Sequence, residues 1–318
     1  MSIERPEAKR PDAVTPVLDS IMTFKEYRVL EHPTPYVFEA HGCGRELLYF
    51  GAHHSEDPAD AMFDDLKARF ETFTESHPPE DSLVVIEGGV RPDDADEAAA
   101  RRSGEPNFTQ YLAREKGYEV VSPEPSDSML CEKLIEAGYA KEDIAVAECI
   151  MRFSYVTRVQ KRHPTMEDVE SAYFRLEPFL QLDWAGELPS NEDLKKLKQD
   201  DPEDFERFRK GIDRRILDRL EARFFIVTGK RMRRDEEASE DEFPVDPKLM
   251  EAHDDPADAA GVGGPYVAIH ALTSEIRDRA IVRTIGQALM GGKSVFVVYG
   301  ASHAVMQEPA LKKMMETL

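Results

Sequence analysis

"YFGAHHSEDPADAMFDDL" (residues 49–66) runs from an apolar strand end through one glycine to two adjacent histidines, and then into a helix-forming stretch. The layout recurs in "VFVVYGASHAVMQEPALKKM" (residues 295–314), where the apolar run ends at Gly300 and His303 follows three positions later. Two G-x-x-H copies, each behind a β-branched or aromatic run, predict strand–turn–helix units with a histidine at the carboxyl end of each strand. The glycine ahead of each histidine is expected to turn the backbone tightly off the strand.

Outward from these stretches, "PYVFEA" and "ELLYFGA" flank "HGCGR" and predict a hairpin. In "DPADAMFDDLKARFETF", Asp57 stands as the N-cap candidate and Pro58 at the first helical position, with Met62, Leu66, Ala68 and Phe73 along the inward face. "SLVVIEGG" reads as a short buried strand ending at Glu87. A helix over "FTQYLAREKG" and a strand in "YEVVSPEP" complete an alternation of strands and helices, and alternation of this kind makes a largely parallel α/β sheet. Residues 128–229 carry helical periodicity with little β signal and are expected to form an all-helical insertion. The polar stretch 230–264 reads as a long acidic loop, either a lid over the site or an unstructured insertion. Residues 265–318 return to the sheet with the helix "ALTSEIRDRAIVRTIGQALMGG", the strand "KSVFVVYG" and the helix "EPALKKMMETL". The expected organisation is a tail over 1–20, a first α/β half over 21–127, the insertion, the loop, and a second half completing one mixed, largely parallel sheet with flanking helices.

The chain has 318 residues, 41% of them hydrophobic and 33% charged, with a formal net charge of -22. So acidic a surface repels nucleic acid and anionic lipid, which argues against either as a partner. Cys43, Cys131 and Cys149 form no C-x-x-C pair, a usage that fits a reducing compartment. The opening "MSIERPEAKRPDAVTP" has no apolar core of a secretory signal, and no run reaches the length of a membrane helix. A cytoplasmic protein is the expectation.

Ligands of a parallel α/β sheet bind outside the carboxyl ends of its strands. His54, Glu87 and His303 are all expected there. Two imidazoles and a carboxylate are a ligand set that divalent first-row metals favour, with Mn, Co, Zn and Fe all candidates. Buried unpaired, Glu87 would be costly, so it requires a cation: a metal, Arg91, or an arginine of the late helix. Arg277 and Asp278 are expected in the first turns of that helix, with Thr273 and Ser274 as capping candidates. From there Arg277 would stabilise an oxyanion or clamp a substrate carboxylate. Glu124, at the end of "VVSPE", is a candidate for a supporting or substrate-side role.

"FGAHHSE" and "VVYGASHAV", with "VVIEGG" between them and "EIRDRAIV" before the second, resemble the paired G-x-x-H motifs of the TraB/Tiki family, within the wider erythromycin-esterase/ChaN-like group. The resemblance covers about residues 34–122 and 267–318. It carries over to Gly51 and His54, to Glu87, to Arg277 and Asp278, and to Gly300 and His303. The sequence departs from the family pattern in placing Glu275 two positions before Arg277 and in adding His53. Tiki-like members are membrane-associated metal-dependent peptidases, erythromycin esterases are hydrolases described without a metal, and ChaN-like members bind haem. With no membrane segment in the sequence, the membrane-linked roles do not transfer.

The expectation is a hydrolase acting on a small-molecule or peptide substrate, in which His54, Glu87 and His303 activate water and Arg277 assists. The favoured version is metal-dependent cleavage of an ester, amide or peptide bond, with both histidines and Glu87 as the metal's ligands. In the other, one histidine is the general base, oriented by Glu87. The alternative from another class is a ligand-binding or regulatory protein that uses the same pocket without turnover.

Overall fold

A computed structural model describes residues 14–27, 29–92, 94–160, 162–185, 191–228 and 265–318. The tail over 1–13 and the acidic loop 230–264 lie outside the described residues. Contacts divide the chain into two units, one formed by the residues up to Glu124 together with Glu275–Leu318, the other by Pro125–Ser274.

The first unit is built on a sheet of five strands: β1 (Tyr36–Gly42), β2 (Arg45–Ala52), β3 (Ser82–Ile86), β4 (Val120–Val121) and β5 (Ser294–Gly300). Their order is β1-β2-β5-β3-β4, with β1 antiparallel to β2 and every other pairing parallel. β1 and β2 form the expected hairpin. Its two-residue turn, Cys43–Gly44, has positive φ at both positions, the geometry that matches strand twist. β5 lies between β2 and β3 and is buried along its whole length.

Both faces of the sheet are covered over β2, β3 and β5, which is why these strands are nearly continuous apolar runs, whereas edge strand β1 exposes Glu39 and His41. On one face Leu48, Phe50, Val84, Phe296 and Val298 pack against α3 (Ala61–Ser76) and α5 (Glu105–Glu115) through Phe63, Leu66, Phe70, Phe73 and Phe108. Each such aromatic, fully buried, contributes about 1.5–3 kcal/mol of transfer free energy. On the other face Leu47, Tyr49, Val295, Val297 and Tyr299 meet Ile281, Val282, Ile285 and Leu289 of a long late helix, and Ala304, Leu311 and Met314 of the last helix. α1 (Thr15–Leu18), followed by α2 (Phe24–Tyr27), adds Val17 and Leu18 to the same core. The segment 14–20 is therefore no tail: the apolar side chains between its polar residues anchor it.

Several boundaries differ from the sequence reading. α3 begins at Ala61, not near Pro58, because Asp60 rather than Asp57 caps it by accepting the Met62 N–H at 2.9 Å. Asp57 instead closes a local turn onto the Ala59 N–H at 3.0 Å. Ala68 is exposed, and Phe63 and Phe70 take the inward face. Between α3 and α5 lies the short α4 (Glu97–Arg102).

In the second unit, α6 (Asp127–Glu136), α7 (Lys141–Arg158), α8 (Met166–Leu180), α9 (Asn191–Asp200) and α10 (Pro202–Thr228) realise the expected helical insertion. Its core gathers Ile150, Phe153, Tyr173, Leu176, Leu220 and Phe224. Buried Asp168 closes the capping box at the start of α8 and accepts from Arg152 and Arg162. α11 runs unbroken over Tyr266–Met290, and its residues from Glu275 onward belong to the first unit. α12 (Ala301–Thr317) starts directly at the end of β5.

Candidate functional site

β2 and β5 are parallel neighbours, with Ala52 paired to Gly300 at their carboxyl ends. β3 flanks β5 on the other side, and the Glu87 N–H donates to Val298 O at 3.2 Å. The chain just after each of these three strands therefore emerges over one edge, carrying His54, Glu87 and His303.

The motif glycines do not turn the chain by an unusual backbone angle, since neither Gly51 nor Gly300 has positive φ. They are needed for close approach instead. A Cβ on Gly51 would lie 2.7 Å from both the Ala304 Cβ and the Tyr36 carbonyl oxygen. A Cβ on Gly300 would lie 3.2 Å from His54 Nε2 and 3.7 Å from Glu87 Oε2. The two copies also differ: His54 stands in the loop after β2, whereas His303 lies in the first turn of α12, which Gly300 caps.

Each imidazole is held from behind by a carboxylate. His54 Nδ1 is 2.5 Å from Glu105 Oε1, and Glu105 is 1% exposed at the first position of α5. His303 Nδ1 is 2.6 Å from Asp278 Oδ1, both residues buried. A carboxylate accepts, so each Nδ1 carries the hydrogen and each Nε2 is the free position. His303 Nε2 comes within 3.8 Å of Glu87 Oε1. Glu87 itself is fully engaged: Arg277 Nη2 donates to Oε1 at 2.8 Å, and the Gly300 N–H donates to Oε2 at 2.9 Å. Arg277 also forks onto Glu124, with Nε at 2.8 Å and Nη2 at 2.9 Å. Behind His303, Gln307 Nε2 donates to Asp278 Oδ1 at 2.6 Å, and the Tyr49 hydroxyl donates to Gln307 Oε1 at 3.0 Å.

The charges follow from these contacts. Burial works against a charge on His54, yet the Glu105 hydrogen bond and the Glu87 and Glu105 carboxylates outweigh it and raise its pKa to about 9. His303 is likewise raised, with burial opposing and Asp278 prevailing. Burial would push Glu87 up, but Arg277, His303 and His54 hold it well below the usual carboxylate range.

His53, the extra histidine of the first motif, faces away: its Nε2 is 2.7 Å from Asp60 Oδ2 at the cap of α3. The cation for Glu87 is Arg277. Arg91 is exposed, its backbone clamped by Gln110, whose side chain accepts from Arg91 N at 3.0 Å and donates to Arg91 O at 2.8 Å. Arg277 and Asp278 do not lie in the first turns of their helix, because α11 already starts at Tyr266 and leaves Thr273 and Ser274 in its interior. Pinned by two carboxylates, Arg277 orients Glu87 and Glu124 rather than standing free for a substrate carboxylate. Among the described residues, no group of three or more His, Cys, Asp and Glu side chains is disposed to hold a metal ion. No helix among them is long and apolar enough to cross a membrane.

Glu105, Gln307 and Tyr49 were not legible as site residues. Reading α5 from Phe108 and the last helix from Glu308 left Glu105 and Gln307 in presumed loops. The available signal was the run of polar residues in "EPNFTQ", four of which (Glu105, Asn107, Thr109 and Gln110) the fold buries. No family model, curated protein or solved structure matches the chain.

Proposed function

We propose that the chain is a hydrolase in which His303 and His54 share the proton transfers of water attack on an ester, amide or peptide bond. The carrying observation is the pair of imidazoles, each fixed through Nδ1 on a buried carboxylate, with Glu87 beside both. The resemblance of the two G-x-x-H motifs to the TraB/Tiki and erythromycin-esterase group supports the same class.

His303 Nε2, with Nδ1–H secured by Asp278, accepts a proton from water as the oxygen bonds to the substrate carbonyl carbon. The imidazolium so formed is stabilised by Asp278 and Glu87, as in other base–carboxylate pairs. His54, half-exposed and charged up to about pH 9, donates from Nε2 to the departing oxygen or nitrogen as its bond to carbon breaks. Solvent then returns a proton to His54 and takes one from His303. Both imidazoles are raised, so His303 acts as the base from its neutral form, and turnover is expected to climb with pH as that form accumulates.

Glu87 has both oxygens committed to Arg277 and to the Gly300 N–H, so the donors as arranged do not fit a metal held by His54, Glu87 and His303. No step is assigned to one. The test is a panel of esters, amides and peptides assayed before and after exhaustive chelation, with elemental analysis of the protein. Turnover is expected to survive demetallation and to fall by about 100-fold or more in His303→Ala. Loss of turnover on chelation moves the reading to the metal version. Tight ligand binding without turnover of any class sinks the hydrolase and favours the binding-protein alternative.

A further inference from the structure

We infer that Gln307 and Tyr49 are positioning residues that set the tautomer of His303, so that its free nitrogen is the one turned toward Glu87. This rests on the hydrolase reading for its purpose, but its geometry stands without it. Asp278 Oδ1 receives two donors, His303 Nδ1 at 2.6 Å and Gln307 Nε2 at 2.6 Å. The Gln307 amide has only one orientation compatible with this. Reversed, its carbonyl oxygen would face a carboxylate oxygen at 2.6 Å with no hydrogen between them. The Tyr49 hydroxyl then has to donate to Gln307 Oε1, as it does at 3.0 Å.

Gln307 and Tyr49 are wholly inaccessible, and Asp278 is 1% exposed. Water cannot substitute for any link in such a chain, so each polar atom depends on its protein partner. The amide N–H holds the Asp278 carboxylate with Oδ1 turned to Nδ1. Without it the carboxylate is free to rotate, and the imidazole loses the fixed acceptor that keeps its hydrogen on Nδ1. A histidine carrying its hydrogen on Nε2 could not take a proton from water beside Glu87. The three groups reach this point from β2, α11 and α12.

The experiment is ¹⁵N NMR of the histidine ring nitrogens at a pH above the titration of both imidazoles, which needs no substrate. In the wild type, His303 is expected to show hydrogen on Nδ1 and a free Nε2. Gln307→Met keeps the shape and removes the donor. It is expected to reverse the two nitrogens or mix the tautomers, while His54, held separately by Glu105, keeps its own signature. Tyr49→Phe, a smaller change, carries the same test with a partial shift if Gln307→Met does not fold. Unchanged His303 nitrogens in a folded Gln307→Met or in Tyr49→Phe overturn the inference, and so does a wild type with hydrogen on Nε2. A reversed tautomer in a protein that hydrolyses nothing would leave the positioning intact and remove only the hydrolase reading.

Discussion

His54 carries its proton to about pH 9 because Glu105 lies behind it, and that pairing sets a pH dependence with a definite sign. A histidine whose folded pKa exceeds the unfolded value of about 6.5 adds stability that is complete below that value and is lost as pH rises toward 9. Glu87, held low, contributes the opposite way: its share is present above the ordinary carboxylate range and is lost as acid is added. Glu105→Gln is expected to bring the His54 midpoint down toward 6.5 in an NMR titration and to flatten the loss of stability between neutral pH and pH 9. An unmoved midpoint would refute the pairing. Arg277→Met strands Glu87 and Glu124, both less than one-fifth exposed, without their shared cation. Breaking a buried pair from one side costs on the order of 3 kcal/mol, readable in urea denaturation, and a loss below about 1 kcal/mol would show that the carboxylates find another partner. At this scale the sequence exposed the residues that end strands, because strand ends are periodic signals. Glu105 and Gln307 stayed hidden because only tertiary packing turns a helix-start carboxylate toward His54 and a mid-helix amide toward Asp278.

Among elements, the two motif glycines separate packing from chemistry. Gly51→Ala drives a methyl against Ala304 and the Tyr36 carbonyl at 2.7 Å, where strand and helix have no room to part. Overpacking of that kind costs about 1–3 kcal/mol, and a lowered Tm is expected. Gly300→Ala places its methyl 3.2 Å from the His54 ring, which is half-exposed and can swing away. Its Tm is expected to stay near wild type while the His54 titration shifts and any hydrolysis falls. Equal effects of the two substitutions on Tm would contradict this division. Hairpin, buried strands and helical insertion were all legible, since alternation and periodicity are local properties. The starts of α3, α11 and α12 were not. The start of α3 depends on which of Asp57 and Asp60 the fold engages as the cap, and α12 begins with no break after β5 and no side-chain cap.

Over the whole molecule, the formal charge of -22 sets a background of self-repulsion. Salt screens it within a Debye length of about 10 Å at 0.1 M, so Tm at neutral pH is expected to rise as sodium chloride is added from low ionic strength. A falling Tm would place more weight on the surface ion pairs, such as Arg101 with Asp64 and Glu97, that salt weakens. The sheet itself has a second consequence, in time rather than space. β2 and β3 are made early, yet they do not touch; the strand that joins them, β5, ends at Gly300. As the chain leaves the ribosome, its first half therefore holds two open strand edges and a His54 with no opposite number. The nascent protein has no site until residue 303 has emerged, so whatever chemistry the finished molecule performs, it cannot perform on the way out.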